Sequence, residues 1–269
     1  MGADGLAPRE EFGHVTNRIS SLSSSRRAAL IAGVGYLTIF LLAIFANFFV
    51  LAGLIDPDNA HATFTNIAES ELLFRFGLVS FLVVVIIEVV VTWALYVLFE
   101  TVNQQVSLLA AWFRLIHAAF LGVAVVFLFI ALQLVSGAEY SAAFEQRQVD
   151  AQVKLTLEVF DYTWLIGLAL FGVHLMLLGY LVVKSGFASR VLGALLMVAG
   201  AAYLFDTLAH SLLADYAANE TVFFLIVAVP SFAGELWFLV WLLARGGKQP
   251  AATARPVDDT DGDRLIRSQ

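Results

Sequence analysis

The chain has 269 residues, of which 60% are hydrophobic and only 14% are charged, and its formal net charge is −7. An average soluble domain carries about 25% charged residues, and a water-soluble protein of this length cannot cover its surface with so few. The composition excludes a soluble globular protein and indicates an integral membrane protein. The absence of cysteine excludes disulfides, thiolate metal sites and cysteine nucleophiles.

Six apolar stretches follow one another along the chain, and each is about 20 residues long or longer. A helix of that length crosses a hydrocarbon layer about 30 Å thick at a rise of about 1.5 Å per residue, and in lipid a helix satisfies its own backbone hydrogen bonds. The sequence therefore predicts an all-α fold, a polytopic bundle of about six transmembrane helices. The predicted spans cover residues about 28–54, 72–98, 107–135, 155–183, 191–213 and 221–243.

Polar segments flank the predicted transmembrane domain, which covers residues 26–244. Residues 1–25 contain the run SSLSSS and predict a flexible polar lead-in, whereas residues 245–269 form a polar, acidic tail. Basic residues concentrate in the segments that share a side with the two termini. The positive-inside rule places such segments in the cytoplasm. We therefore predict a multi-pass protein of the cell membrane with both termini, and the tail, on the cytoplasmic side.

Ionisable residues inside the predicted spans are the candidates for function, because a charge at the helix centre costs about 2.5–3.5 kcal/mol and needs a partner or a water-filled cavity. Four of them lie about eight to ten residues from the inner ends of different spans, and therefore at similar depth. This candidate inner polar site consists of Glu88, His117, His174 and Glu235. Interhelical hydrogen bonding that holds the helices in register is the simplest interpretation. A proton- or ion-coupled pathway through Glu88 and Glu235 is another.

A second polar group is predicted nearer the outer face. This candidate outer network consists of Arg75, Asp161, Asp206 and His210. Asp206 and His210 are four residues apart and share one helix face, and Arg75 is expected to pair across helices with Asp161 or Asp206. A salt-bridge network is favoured over a metal site here, because a DxxxH pair supplies too few ligands.

Three stretches of the chain carry a likeness to a known family. They are RRAALIAGVGYLTI (26–39), FRLIHAAF (113–120) and the segment Asp161–His210, in which a Gly-hydrophobic-Gly rhythm is followed by SGF and GAAYLFD. Over residues 26–243 the chain resembles the prokaryotic multi-pass membrane family catalogued as domain of unknown function 4386. The resemblance implies the number of helices and their topology, and it implies no activity. Ser189 departs from the family pattern, which often has proline at this position.

The leading hypothesis for function is a non-enzymatic membrane protein, either a small-solute or ion-coupled carrier or a structural or accessory component. The alternative is a metal- or haem-dependent membrane enzyme that uses His117 and His174, because neutral imidazole suits zinc, iron and haem iron. The sequence contains no nucleotide-binding loop, nucleophile elbow or nucleic-acid-binding surface. It implies the lipid bilayer as a partner, and it identifies neither a catalytic residue nor a cofactor.

Overall fold

Helices make up the regular structure of the residues that the structure describes. The computed structural model describes the backbone of residues 7–137, 139 and 143–247, and the side chains within these ranges from residue 24 onward. Every regular element in this part of the chain is a helix, which confirms the all-α prediction. The first six residues of the predicted lead-in, and residues 248–269 of the predicted acidic tail, lie outside the described residues.

The helices follow one another along the chain. α1 covers Ala7–Ile44 and continues as a π-helix, Phe45–Leu51, and a last α-helical turn, Ala52–Leu54. The bounds of the others are Ala60–Glu69 for α2, Glu71–Phe99 for α3, Gln104–Ser136 for α4, Gln146–Ser185 for α5, Arg190–Leu212 for α6 and Glu220–Ala244 for α7. Within the described ranges six helices are long and apolar enough to cross a membrane, as predicted. They are α3 to α7 and the Ser24–Leu54 part of α1.

Capping residues mark the helix ends. Asn59, Asn103 and Ser189 each accept a hydrogen bond from a backbone N–H in the first turn of α2, α4 and α6. Glu145 forms a capping box with the third helical residue at the start of α5. Gly186 ends α5 in the left-handed conformation, with a φ of 70°. The capping box extends α5 into the polar segment that precedes the predicted fourth span.

The six spanning helices form a ring. Each packs against its neighbours in the chain, and α7 returns to pack against α1. Short connections make consecutive helices antiparallel. The start of the spanning part of α1 meets the end of α7, since Arg26 donates hydrogen bonds of 3.0 Å to the carbonyl oxygens of Leu242 and Gly246. We call this the termini end of the ring, and the opposite end, which carries α2, the far end.

Two pairs of glycines join α5 to α6. A Cβ atom added to Gly172 would lie 2.5 Å from the carbonyl oxygen of Gly200, and one added to Gly193 would lie 2.6 Å from that of Gly179. The reverse contacts are equally close, because a Cβ added to Gly200 or Gly179 would meet the carbonyl oxygen of its partner glycine. The two backbones therefore touch directly, as small residues allow in membrane helices that lack a hydrophobic driving force for association.

Buried apolar side chains form two clusters stacked along the ring axis. The cluster at the termini end contains residues of all six spanning helices, among them Trp241 and Leu242 of α7. Among the described residues, the cluster at the far end is built from α1 to α5 without α6 or α7. In α7, which is described throughout, no buried residue precedes Ser231. The N-terminal half of α7 therefore lies outside the core.

The π-helical segment of α1 packs against α3. Val50 fills the space beside Gly77, where a Cβ would lie 2.7 Å from Cγ1 of Val50. The earlier part of α1 contacts α7, for example through the rings of Tyr36 and Phe238, whose centroids are 5.7 Å apart. The ring is therefore closed between α1 and α7 mainly in its termini half.

Large apolar side chains also cover the outside of the ring. Leu41, Ile86, Val126 and Val229, on four different helices, are each more than half exposed. A soluble protein rarely exposes contiguous apolar surface on this scale. Outward faces of this kind belong in lipid, so the chain is a multi-pass membrane protein embedded in a bilayer.

Arg26 caps the last turn of α7, where helix carbonyls have no helical partner. Its guanidinium donates to the carbonyl oxygens of Leu242, Leu243 and Gly246. We expect Arg26→Ala to lower the free energy of unfolding by about 1–2 kcal/mol, because these carbonyls lose a charged donor. Unfolding in mixed detergent micelles, followed by circular dichroism, measures the loss. Arg27→Ala, at the exposed neighbouring position, is the matched control, and equal losses in the two variants would refute the capping role.

Candidate functional site

A polar layer crosses the ring between the two apolar clusters. It lies about ten residues from the termini end of every spanning helix, which is about 15 Å at the α-helical rise. Each of the six helices contributes one polar side chain to it. In chain order these are Tyr36, Glu88, Arg114, His174, Tyr203 and Glu235.

Arg114 of α4 lies at the centre of the polar layer. Its Nε is 2.7 Å from Oε2 of Glu88, and its Nη1 donates to the hydroxyl of Tyr36 at 2.6 Å and to Nε2 of His174 at 3.2 Å. The Nε–H is not aligned with the carboxylate oxygen, so the contact with Glu88 is an ion pair rather than a linear hydrogen bond. Arg114 is 1% exposed and Glu88 is 3% exposed. Charges buried this deeply need a partner of opposite sign, and each supplies one for the other.

Aromatic rings enclose the guanidinium of Arg114. Its Cζ lies 4.6 Å from the ring centroid of Tyr36 and 5.3 Å from that of Phe171, both within the range of a cation–π interaction. Phe171 also contacts the imidazoles of His117 and His174, at centroid distances of 5.0 and 5.7 Å. Arg114 is therefore held by rings as well as by a carboxylate.

Both histidines of the predicted inner site bind main-chain carbonyls. Nδ1 of His174 donates to the carbonyl oxygen of Ala110 at 2.9 Å, which leaves Nε2 to accept from Arg114. Nδ1 of His117 bonds to the carbonyl oxygen of Gly167 at 2.9 Å. His174 therefore has both ring nitrogens engaged.

The arrangement does not fit a metal or haem held by His117 and His174. One of these imidazoles has no nitrogen free for a metal, and the ring of Phe171 contacts both of them. In the described part of the chain, no three or more His, Asp or Glu side chains are grouped so as to hold a metal ion. The geometry of the polar layer thus gives no support to the enzyme alternative.

Glu235 of α7 lies apart from the ion pair. Its Oε1 accepts a long hydrogen bond, 3.4 Å, from the hydroxyl of Tyr203, and the side chain is partly exposed. One turn earlier on α7, Ser231 is 5% exposed, and its Oγ has no aligned hydrogen-bond partner among the described residues. The carboxylate that Arg114 contacts is that of Glu88. The layer therefore contains one guanidinium and two carboxylates.

The predicted inner residues lie near one another. Glu88, His174 and Glu235 are in the polar layer around Arg114, where depth counting places them. His117 lies one turn farther along α4, against the same aromatic ring as His174. The common height of Glu88, His174 and Glu235 follows from the constant rise of the helices.

Three members of the polar layer are absent from the predicted site. Arg114 could have been identified from the sequence, since it is three residues from His117 and shares its helix face. Tyr36 and Tyr203 give no such signal, because a tyrosine inside an apolar span is not distinguished by its spacing. Which groups these two tyrosines contact depends on how the neighbouring helices are arranged around them.

Two residues of the predicted outer network lie outside any common cluster. Arg75 pairs with Glu71 on its own helix, with Nη2 at 2.6 Å and Nε at 2.7 Å from Oε1, and not with Asp161 or Asp206. Side chains four residues apart on a helix are already neighbours, so this pair forms without any tertiary contact. Asp161 is exposed on α5.

Asp206 and His210 share a face of α6, as their spacing predicts, and both meet Tyr216 in the connection to α7. The hydroxyl of Tyr216 donates to Oδ1 of Asp206 at 2.7 Å, and the ring centroid of His210 is 4.4 Å from that of Tyr216. Desolvation and the hydrogen bond to Asp206 raise the pKa of Tyr216 above its ordinary value. These contacts fasten the α6–α7 connection at the far end.

The chain is similar to known proteins over most of its membrane domain. The model of a family described as Domain of unknown function (DUF4386) matches residues 31–246, which include most of the first span and all of the others. An uncharacterized protein of Archaeoglobus fulgidus is 28% identical over 181 residues, which are 67% of this chain and 90% of the relative. No solved structure matches the chain.

Proposed function

We propose a function for a chain that belongs to the family described as Domain of unknown function (DUF4386): it is a non-enzymatic carrier in which Glu235 exchanges a proton within the polar layer. The observation that supports this is the charge balance of the layer, where one guanidinium faces two carboxylates. Arg114 is already paired with Glu88 at 2.7 Å. The layer is therefore neutral when Glu235 carries a proton or faces a bound cation.

The charge of Glu235 is coupled in this proposal to the packing of α7. A carboxylate without a partner in a medium of low dielectric is strongly unfavourable, so gain and loss of a proton change the stability of this helix in the ring. Pro230 removes a backbone hydrogen bond one turn before Glu235, and the half of α7 that precedes Ser231 contains no buried residue. α7 is thus suited to be the element with two packings that a carrier requires.

The contacts of Arg114 have a structural role in the same proposal. They join α1, α3, α4 and α5 through Tyr36, Glu88 and His174. Pairs of this kind hold membrane helices in register. The carrier function depends on Glu235, and the integrity of the ring depends on Arg114.

We infer that the chain is in the cell membrane with both termini in the cytoplasm. Basic residues support this orientation, because among the described side chains the termini end carries more of them than the far end. Those at the termini end are Arg26, Arg27, Lys184, Arg190 and Arg245.

Infrared difference spectroscopy of the purified protein during a pH titration tests the proton site. We expect the carbonyl stretch of a protonated, slowly exchanging carboxyl in the wild-type protein, because the part of Glu235 that the protein leaves exposed faces lipid rather than bulk water. The band should be lost in Glu235→Gln. It should remain in Glu220→Gln, a matched change at the exposed start of the same helix. A band that survives Glu235→Gln, or no such band in the pH range where the protein is folded, would reject the proposal.

A further inference from the structure

We infer that Glu235, Tyr203 and Ser231 form a binding site for a lipophilic organic cation that enters from the bilayer. The inference rests on the proposed function and specifies the class of solute that the carrier binds. It goes beyond proton exchange because it assigns a cargo to the same carboxylate.

The polar groups of this site have unused hydrogen-bonding capacity. Oγ of Ser231 is buried without an aligned partner among the described residues, and it lies against the hydroxyl of Tyr203. Oε1 of Glu235 is 3.4 Å from the same hydroxyl, which is longer than a usual O–H···O bond. A buried hydroxyl without a partner is unfavourable. The hydroxyl of Ser231 and the carboxylate of Glu235 can therefore each accept a further hydrogen-bond partner.

The charge of the site selects a monovalent cation. With Arg114 neutralised by Glu88, an ionised Glu235 gives the layer a single negative charge, which repels anions. A divalent metal needs more anionic or imidazole ligands. No such group of three side chains exists in the described ranges.

Aromatic rings beside the site favour an organic cation over a small inorganic one. Tyr203 makes an edge contact with Phe171 at 5.8 Å, and Phe40 meets Phe232 at 5.8 Å across the α1–α7 joint. Ring faces attract organic ammonium ions and other soft cations. A small hard cation instead requires about six oxygen ligands, which is more than this site supplies.

The packing of α7 provides a route from the bilayer. Phe232 and Val229, on the turns beside Ser231, are 56% and 64% exposed. The far-end cluster contains neither α6 nor α7 among its described residues, and the π-helical part of α1 is packed on α3. The termini side is closed by Trp241 and its cluster and by the cap of Arg26. A solute dissolved in lipid thus reaches Glu235 from the side.

Protons and the organic cation compete for Glu235. The other ionisable groups of the layer are Tyr36 from α1, Glu88 from α3, Arg114 from α4, His174 from α5 and Tyr203 from α6. Arg114 repels a second cation and Glu88 attracts it, so a cation is held at the site only while Glu235 carries its own negative charge. Binding of the cation should therefore weaken as the pH falls, because the proton neutralises Glu235.

Equilibrium binding of radiolabelled tetraphenylphosphonium to the full chain in nanodiscs of zwitterionic lipid tests the site. Uptake by empty nanodiscs is subtracted. We expect saturable binding to the wild-type protein, at least about tenfold weaker binding to Glu235→Gln, and unchanged binding to Glu220→Gln, since a tenfold change matches the loss of one charge contact. Ser231→Ala should weaken binding several-fold, and Glu235→Asp, which keeps the charge, should retain saturable binding.

Each failure has a distinct meaning. Equal binding to the wild-type protein and Glu235→Gln, or uptake that does not saturate, would overturn the inference. Saturable binding of radiolabelled sodium without saturable binding of the organic cation would also overturn it. A carboxyl band that depends on Glu235, combined with no saturable binding, leaves the proton site standing and rejects the cargo. Size-exclusion profiles show whether Glu235→Gln is folded. If it is not, the binding measured for Ser231→Ala and Glu235→Asp decides whether the cation site exists: loss of saturable binding in Glu235→Asp together with unchanged binding in Ser231→Ala would overturn the inference.

Discussion

Arg114→Leu is expected to lower the free energy of unfolding by about 3–5 kcal/mol. The change leaves Glu88, which is 3% exposed, without the guanidinium that lies 2.7 Å away, and it removes the donors to Tyr36 and His174. The expected loss of stability is larger than the contribution of one hydrogen bond, because a buried charge without a partner keeps its full desolvation cost. Titration with sodium dodecyl sulfate in mixed micelles, followed by circular dichroism, measures the change.

Two further variants separate the buried ion pair from the loss of an arginine in general. Arg75→Leu makes the same chemical change at an exposed pair four residues apart, and we expect it to change the free energy of unfolding far less, because solvent screens exposed ion pairs. Combining Arg114→Leu with Glu88→Leu removes both buried charges. This should restore most of the stability, because apolar replacements of a buried pair are often neutral or stabilising. Equal effects at the two arginines, or a double variant no more stable than Arg114→Leu, would contradict the assignment.

Gly200→Ala is expected to destabilise the bundle by about 1–3 kcal/mol, even though alanine is the better helix former by about 1 kcal/mol. The added Cβ would meet the carbonyl oxygen of Gly172 and lie 2.8 Å from Cγ of Met176. A backbone oxygen cannot rotate away as a side chain can, so α5 and α6 must separate. The separation reaches Tyr203, one turn along α6, and should lengthen its contact with Glu235. The same detergent titration measures the effect on stability.

Gly53→Ala provides the matched control for the glycine contact. No atom lies within 4 Å of the position that a Cβ would take at Gly53. The substitution should therefore be neutral or stabilising, through helix propensity alone. The same chemical change is thus expected to act with opposite signs at the two positions, and a stabilising Gly200→Ala would show that α5 and α6 are not in backbone contact.

The ring is packed unevenly, and this bears on its function. The glycine pairs lock α5 to α6, and the contacts of Arg114 lock α4 to its neighbours, whereas the N-terminal half of α7 contains no buried residue. A carrier needs a rigid part and a part that moves against it. Glu235, the carboxylate that Arg114 does not contact, lies on the less buried helix. We therefore expect the charge of Glu235 to be coupled to movement of α7.

The height of a polar side chain along its helix could be predicted from the chain alone. Counting residues from the span ends predicts one level for Glu88, His117, His174 and Glu235, because every α-helix rises by about the same 1.5 Å per residue. In the structure His117 lies one turn farther along α4 than Arg114. The ion pair between Arg75 and Glu71 could also have been predicted, because the two residues are four apart on one helix. The expected pairing of Arg75 across helices ignored this nearer partner. Local spacing thus decides contacts along a helix.

Partners across helices could not be predicted in the same way. A sequence gives the height of a side chain on its helix, but which neighbour it faces depends on the rotation and order of the helices around the ring. That order sets Arg114 against Glu88, places Tyr36 and Tyr203 in the layer, and leaves Glu235 with a single long hydrogen bond.

Sequence by itself determined the membrane class, the six helices and the approximate height of the buried charges along them, because hydrophobic length and helical rise are local properties. Only the tertiary structure decided that the ring closes between α1 and α7 mainly at its termini end, and which of two carboxylates at one depth is paired. Both depend on contacts between helices distant in the chain, and for that reason Glu235, rather than Glu88, is the residue on which the proposed function rests.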